Sequence, residues 1–529
     1  MTPPAQKSRK GLMTKIFGVS GAIFISRILG LFRVRLEAEV LGGAAIASAW
    51  QLAFSFPNLL RRLFGEGALG NALMPIVAEL DTKYGRDHAR GALAVVFPVL
   101  GVILALCVIV SSAIALWVGN LVDPHTHYQV RLACLLTPLL MPYAIFICLT
   151  GAMTAVLNYA RCFILPAFYS LLMNIFLVSG LFWGWYSGAN ASVSTLEEFL
   201  KVLSVLFLLS GFIQLILMSF QLKRVGLFPD FSNWRNHTDV LKKLWHLALP
   251  GLIGASAVQL SFLVDRYLAV FVNERGVAAL TYVDRIIDLP IGLFAVAMGQ
   301  VFMARMTASV AAGDTESLKE DINYALRQLL FLSIPLACSV CFFYELMLKI
   351  ICLGGRYTME DLDAARTVAI FYGSGIPFFC ALKIIQPAFY ARKDMKTPLY
   401  CSLTAIAVNI VLSVALIKPL AQGGIALATV FSSCINCTML VLFLRKAGIT
   451  FGLKDVSCTL FRSLIAAIAA GAVCKYLLTR FYHGSGRFAD ICALGAVGAL
   501  FGVIYLAVNI LSRGREFAEM AGRFRKKRS

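Results

Sequence analysis

The sequence predicts an all-α polytopic membrane protein with fourteen transmembrane helices. Hydrophobic residues make up 59% of the 529 positions and charged residues only 14%, a composition that does not describe a soluble surface. Apolar runs of about 18 residues or more recur along the whole chain, and each is long enough to cross about 30 Å of hydrocarbon as a helix. No large soluble domain fits between these runs.

The predicted spans follow the apolar runs in chain order. The first run comes after a basic N-terminus, but Arg27 interrupts it and no small-residue cleavage site follows, so it indicates a span and not a removed signal peptide. Pro57 is expected to break the second span. The predicted spans cover residues 16–36, 46–70, 91–118, 131–158, 163–186, 197–220, 245–272, 278–304, 328–352, 365–390, 398–417, 423–444, 461–480 and 488–511.

The distribution of basic residues predicts the orientation. With the N-terminus in the cytoplasm, the inner segments contain about six times as many Lys and Arg residues as the outer loops. This bias predicts cytoplasmic N- and C-termini and accounts for much of the net charge of +20, with anionic membrane lipids as expected partners. The basic tail RFRKKRS fits an inner-leaflet anchor better than a nucleic-acid site, so no nucleic acid is expected.

An internal repeat predicts two related halves. "NYARCFILPAF" (158–168) and "FYARKDMKTPL" (389–399) lie about 230 residues apart at inner turns, and Pro57 has a counterpart in Pro290 at a similar offset. Two pseudo-symmetric six-helix halves around a central cavity would explain this spacing, although an interfacial anchor motif used twice is the alternative. The predicted domains are an N-terminal bundle over 1–222, a C-terminal bundle over 223–447, and 448–529 with two extra C-terminal helices and the basic tail.

Several arginines lie where lipid should be. A charge at the centre of a membrane helix costs about 2.5 to 3.5 kcal/mol even on lenient scales, so these side chains should face a hydrated cavity. A guanidinium group binds phosphate oxygens through a two-pronged fork, which makes a diphosphate the expected ligand. The alternative for the adjacent pair is that it merely marks the inner end of the second span. The arginines singled out are Arg27, Arg33, Arg61, Arg62 and Arg285.

Acidic residues near these arginines are candidate gating or ion-pair partners. Asp288 stands three residues after Arg285, a spacing at which helical side chains touch, and a purely structural salt bridge is the alternative. Arg27 and Arg33 show no such local partner within the first predicted span, and Gly30 between them is expected to permit a bend. The acidic candidates are Glu66, Asp284 and Asp288.

Oxygen-bearing side chains in three predicted spans suggest a candidate Na⁺ site, because a hard cation prefers oxygen ligands. The alternative is that Asp265 forms a surface pair with Arg266 or Arg275. The scattered histidines show no spacing typical of metal ligands, so no other cofactor is expected. The candidate sodium ligands are Asp265, Asn409, Ser413 and Thr429.

Five stretches resemble the MurJ (MviN) family of lipid II flippases, within the multidrug/oligosaccharidyl-lipid/polysaccharide exporter superfamily. They are "SRILGLFR" (26–33), "FPNLLRRLFGEGAL" (56–69), "MPIVAE" (74–79), "YVDRIIDLPIGLF" (282–294) and "FYARKDMKTP" (389–398). The resemblance implies fourteen spans, a place in the bacterial cytoplasmic membrane and lipid II as the substrate. It implies cavity arginines needed for activity at Arg27, Arg33, Arg61, Arg62 and Arg285, with acidic partners at Glu66 and Asp288.

The chain departs from the family pattern at two positions. The family usually has an acidic residue after a first-span arginine, at the position following Arg33, where this chain has Val34. It also has an aspartate early in the second span, where this chain has Ser48. Any role of those carboxylates in gating or ion coupling is therefore open here.

The resemblance implies flipping by alternating access without covalent chemistry, by a chain expected to be a monomer. The diphosphate head would enter through a lateral gap between spans 1 and 8, and the polyprenyl tail would remain in lipid along spans 13 and 14. One rival is a polysaccharide-lipid or drug/cation exporter of the same superfamily, and a cation exporter would need carboxylates in the cavity. Another rival is a membrane enzyme acting on polyprenyl diphosphate, which would need an acidic metal-binding cluster or a catalytic histidine. The nearest candidate for such a cluster is "DTKYGRDHAR" (81–90), and its composition is more typical of a solvated loop.

Overall fold

The computed structural model describes residues 25–65, 68–123, 127–160, 162, 164–188, 192–232, 239–450, 452–482, 484, 486–512, 514 and 516. These residues group into two compact units. The first unit extends to Val270 and includes Gly354–Tyr357, and the second comprises Phe271–Leu353 and the chain from Thr358 onward. The domain boundaries predicted from the repeat, after residues 222 and 447, describe sequence halves and stay a prediction.

The first unit is built from nine helices in the described part of the chain. They are α1 (residues 25–41), α2 (Ala45–Leu60), α3 (Ala68–Tyr84), α4 (Arg86–Leu121), α5 (Tyr128–Leu140), α6 (Tyr143–Tyr159), α7 (Ile164–Tyr186), α8 (Val193–Arg224) and α9 (Asp239–Val270). A π-helical turn over Arg61–Gly65, the π1 turn, follows α2. Helices α3, α6 and α9 pack around this turn.

The second unit contains eight helices among its described residues. They are α10 (Gly276–Pro290), α11 (Val296–Ala311), α12 (Thr315–Ile351), α13 (Met359–Ala391), α14 (Lys396–Leu420), α15 (Gln422–Lys446), α16 (Leu453–Phe481) and α17 (Arg487–Leu511). A second π-helical turn, the π2 turn over Ile291–Ala295, connects α10 to α11. Helices α16 and α17, the two beyond the predicted repeat, pack on α12.

The predicted all-α membrane class is confirmed. Apart from an isolated β-bridge between Gly354 and Tyr357, the regular structure in the described residues is helical. Within this part of the chain, eight helices are long and apolar enough to cross a membrane, or nine if α5 and α6 are counted as one bent span. The number fourteen stays a prediction.

The second predicted span has its irregularity after Pro57 and not at it. Helix α2 passes through Pro57 and ends at Leu60, and the π1 turn begins at the next residue. The expectation that Pro57 breaks the helix is therefore wrong. A proline removes one backbone hydrogen-bond donor. Here the α-helix nevertheless continues through Pro57, and the wider π-helical turn begins about one turn later. In the second unit, Pro290 likewise comes just before the π2 turn.

Two other predicted spans differ from the structure in their geometry. The fourth predicted span, 131–158, is divided into α5 and α6, whose axes differ by 49°. Pro138 and Pro142 lie near this break, and a proline there interrupts the backbone hydrogen bonds of a helix.

Helix α1 continues to residue 41, beyond the predicted end at 36. Its last turns contain acidic residues four positions after basic ones, and such pairs support a helix.

The segment Gly354–Tyr357 lies against the end of α1 within the first unit. The backbone N–H of Arg356 donates to the carbonyl of Glu39 at 3.0 Å. Gly355 has a φ of +58°, and a Cβ built on it would lie 2.2 Å from the Glu39 carbonyl oxygen. Glycine is therefore required here for two reasons, the left-handed backbone and the close approach of α1.

Replacing Gly355 with alanine should destabilise the protein by about 1 to 3 kcal/mol, because the added methyl group collides with backbone and the backbone is strained. The midpoint of thermal unfolding of the purified protein measures this effect. Gly313→Ala is the matched control, since Gly313 has a φ of +70° but nothing within 4 Å of its built Cβ. Equal losses in the two variants would show that the contact with α1 contributes nothing.

Candidate functional site

Arg33 is buried and ion-paired on α1. Its residue exposure is 5%, and its Nε lies 3.2 Å from Oε1 of Glu37, one helical turn later. The guanidinium also lies over the ring of Phe54 on α2, 5.6 Å from the centroid. The expectation that Arg33 has no local partner on its own helix is therefore wrong, because α1 extends far enough to include Glu37.

Glu37 links α1 to α2. It is 4% exposed, and its second oxygen, Oε2, accepts a hydrogen bond of 2.9 Å from Nε2 of Gln51 on α2. Next on the same helix, Arg35 pairs with Glu39 at 2.6 Å. A buried carboxylate needs both a counter-charge and hydrogen-bond donors, and Arg33 and Gln51 provide them.

Arg61 and Arg62 lie on the π1 turn and are half-buried. Arg61 Nε donates to Oδ1 of Asn58 at 2.8 Å, and Arg62 Nη1 donates to Oε1 of Gln259 on α9 at 3.1 Å. Arg62 also lies 6.0 Å from the ring centroid of Phe262, again on α9. These amide acceptors orient the guanidinium groups without adding negative charge.

Arg27 is half-buried on α1. The helix is continuous through Gly30, between Arg27 and Arg33. Near this position, the side chain of Asn174 on α7 donates to the carbonyl of Ser26 at 3.4 Å. This hydrogen bond joins α7 to the part of α1 that contains Arg27.

Arg285 and the candidate acidic partners lie in the second unit or outside the described chain. Arg285 and Asp284 are half-buried on α10, and Asp288 is exposed. Within the part of the chain that the structure describes, no ion pair of 4.0 Å or less joins Arg285 to Asp288. Glu66 lies outside the described residues, so its predicted role as an acidic partner stays a prediction.

The candidate sodium ligands are divided between the units. Asn409 and Ser413 are buried on α14, where the Ser413 hydroxyl donates to Asn409 Oδ1 at 3.4 Å. Thr429 on α15 donates to the Ile425 carbonyl at 3.0 Å. Asp265 is buried on α9 in the first unit. The sodium site stays a prediction.

Sequence reasoning missed the residues that hold these arginines in place. Glu37 could have been found, because its spacing of four from Arg33 is a local signal. Gln51, Asn58 and Gln259 are uncharged, and no sequence pattern distinguishes an amide that holds an arginine from any other amide. Asn58 lies only three residues before Arg61, whereas Gln51 and Gln259 are identified only by the packing of α1 on α2 and of α9 on the π1 turn.

Comparisons with known proteins show the family to which the chain is similar. The model of the family described as "Lipid II flippase MurJ" matches residues 37–494. A probable lipid II flippase MurJ of Rhizobium tropici is 29% identical over 530 residues, which cover 98% of this chain and 97% of the relative. The lipid II flippase MurJ of Burkholderia cenocepacia is 28% identical, over 83% of this chain and 84% of its own length.

Solved structures show the same fold. A lipid II flippase MurJ in an inward closed conformation superposes with a TM-score of 0.76 at 24% identity, covering 94% of this chain and 98% of that one. An inward-facing multidrug resistance MATE transporter superposes with a TM-score of 0.64 at 15% identity, covering 82% and 98%. Because the family model covers most of the sequence, the chain belongs to the lipid II flippase MurJ family.

Proposed function

We propose that this chain, a multi-pass lipid II flippase of a bacterial inner membrane, binds the diphosphate of lipid II with its intramembrane arginines and moves the head group by alternating access. As a member of its family it is a transporter and not an enzyme. The observation that carries the proposed site is the pair Arg61 and Arg62, displayed on a π-helical turn and oriented by neutral amides.

Energetics support a phosphate ligand at these residues. An arginine in an apolar span is costly unless it meets water or an anion. A diphosphate supplies both the charge and the oxygen geometry that a guanidinium fork matches. π-helical turns recur at functional sites because they break the regular helix and re-aim side chains. Arg27, Arg33 and Arg285 are proposed to contribute in the same way.

The rival functions lack a comparable observation. The MATE transporters resemble this chain in fold, at identities near 15%, while the family model and the relatives at 28% to 29% identity are lipid II flippases. For an enzyme acting on polyprenyl diphosphate, the described residues contain no group of three or more His, Cys, Asp or Glu that could hold a metal ion.

Depletion of the protein in its bacterial host tests the function. Lipid II should accumulate in the inner leaflet, because its synthesis continues while its export stops. Inner- and outer-leaflet lipid II can be distinguished by the access of an external reagent to the head group in intact cells. An unchanged distribution after depletion would contradict the proposal.

We further propose that both termini lie in the cytoplasm, that the basic inner segments contact anionic lipids, and that the transporter acts as a monomer. The orientation is supported by the excess of Lys and Arg in the predicted inner segments. Attraction to anionic headgroups amounts to about 1 kcal/mol per basic residue near the surface.

Na⁺ is the proposed coupling ion, with Asn409 and Ser413 among its ligands. Flipping in proteoliposomes should then depend on a Na⁺ gradient, and Ser413→Ala should weaken apparent Na⁺ affinity by about tenfold, as expected for loss of one contact with a charged group. Ser402→Ala, a buried serine on the same helix, is the control. If replacing Na⁺ by K⁺ at constant membrane potential leaves the wild-type rate unchanged, sodium coupling is ruled out.

A further inference from the structure

The buried triad of Arg33, Glu37 and Gln51 presents a problem for the proposed function. Arg33 is proposed to bind the substrate diphosphate, yet its Nε lies 3.2 Å from a carboxylate and the residue is 5% exposed. A guanidinium that is enclosed with its counter-ion cannot accept a diphosphate in the same place at the same time. In this state, Glu37 occupies the anion position of Arg33.

We infer that Glu37 is an exchangeable counter-ion, which holds Arg33 in the substrate-free state and is displaced when the diphosphate binds. The inference rests on the proposed function. Neutralising a buried arginine is necessary in both states, because a lone charge in an apolar interior is strongly unfavourable. A carboxylate and a diphosphate are both oxygen anions, so they compete for the same guanidinium.

Gln51 gives the exchange a mechanical consequence. Its amide donates to the oxygen of Glu37 that is not directed at Arg33, so the carboxylate is tied to α2 as well as to α1. Arg33 itself lies over the ring of Phe54 on α2, so drawing its guanidinium away from Glu37 would alter a contact between the two helices. The diphosphate would thereby change how α1 is held against α2, and α2 leads directly into the π1 turn with its two further arginines.

The chain also explains why this role falls to Glu37. The positions where the family is expected to have carboxylates are occupied here by Val34 and Ser48, which are both buried. Neither side chain can balance a buried guanidinium charge. Glu37 lies one turn after Arg33 on the same face of α1, at the spacing where opposite charges meet.

Binding of a short-chain prenyl diphosphate to the purified protein in lipid nanodiscs tests the inference, with the matching prenyl alcohol as a probe without charge. Glu37→Gln removes the competing charge and keeps the shape, so it should bind the diphosphate about tenfold more tightly, within the usual range of coupling between sites. It should also flip lipid II more slowly, because Glu37 no longer helps to release the head group.

The neighbouring pair provides a matched control. Glu39→Gln removes the ion pair with Arg35 on the same helix. It should leave diphosphate affinity within about twofold of the wild type, since Arg35 is not among the arginines proposed to bind the diphosphate. A merely structural role for Glu37 predicts lower thermal stability with unchanged or weaker binding. That result in a folded Glu37→Gln protein would overturn the inference.

A second variant covers the case in which Glu37→Gln does not fold. Gln51→Leu removes the hydrogen-bond donor that Glu37 would keep after releasing Arg33. It should therefore weaken diphosphate binding, because the displaced carboxylate loses its remaining donor. Unchanged or tighter binding by folded Gln51→Leu would overturn the inference. Arg33→Ala and Arg62→Ala separate the two hypotheses. If both variants bind the probe like the wild type, the proposed arginine site fails. If both lose binding but the Glu37 and Gln51 variants do not show the expected changes, only the exchange is removed.

Discussion

Replacing Arg62 with alanine should reduce lipid II flipping by about two orders of magnitude or more. Removing one member of a buried, hydrogen-bonded charge interaction typically costs about 2 to 5 kcal/mol, which corresponds to about 30-fold to several thousandfold. Arg62 is positioned for this role by Gln259 and Phe262 of α9, which orient its guanidinium. Initial flipping rates in proteoliposomes loaded with lipid II measure the loss.

Arg62→Lys should be intermediate, because lysine keeps the charge and loses the bidentate fork. Arg224→Ala is the control for a general effect of lost positive charge. Arg224 is exposed at the end of α8 and lies over the ring of Phe220 at 4.5 Å, so its loss should leave the rate nearly unchanged. An Arg62→Ala protein that flips lipid II at the wild-type rate would remove Arg62 from the proposed site.

Replacing Glu516 with glutamine should destabilise the protein by about 3 kcal/mol. Glu516 follows α17 and is 2% exposed. Its carboxylate pairs with Arg462 on α16 and with Arg327 on α12, the latter at 3.1 Å, and accepts a hydrogen bond of 2.6 Å from Thr459. Removing one partner of a buried ion-pair network leaves the remaining charges uncompensated, at a cost of about 3 to 5 kcal/mol.

The same network predicts a dependence of stability on pH. Burial acts to raise the pKa of Glu516, but the Thr459 hydrogen bond and the two arginines outweigh it, so the pKa lies below the ordinary value of 4.5. A carboxylate with a lowered folded-state pKa contributes its full stabilisation above its unfolded-state pKa and loses it as the pH falls through the folded-state value. The difference in unfolding midpoint between wild type and Glu516→Gln should therefore be large at pH 7 and shrink below about pH 4.

An exposed ion pair is the control for Glu516. Glu198 pairs with Lys201 at 2.7 Å on α8, and both side chains are exposed. Glu198→Gln should change the free energy of unfolding by less than about 1 kcal/mol, because solvent screens such pairs. If the Glu516 and Glu198 variants unfold at the same temperature at pH 7, the network does not anchor α17 to α12 and α16.

Candidate site residues can be predicted from the sequence where the signal is local. A charged residue inside an apolar run can be recognised from the sequence alone, so the sequence is enough to single out Arg33, Arg61 and Arg62. The end of α1 was misplaced because two acidic residues resemble a loop when their pairing with arginines one turn earlier is ignored. That error also hid Glu37, the residue that holds Arg33.

The sequence by itself determined the helical membrane class, the arginines within the spans and the relation to the flippase family. Hydrophobic length and charge position are properties of single segments, and water and lipid act on each segment separately. Only the tertiary structure decided which partners those charges have. Gln259 reaches Arg62 from a distant helix, Gln51 holds Glu37 across two helices, and Glu516 joins three helices. Such contacts depend on how helices pack, and a buried polar group can be satisfied by any correctly placed partner.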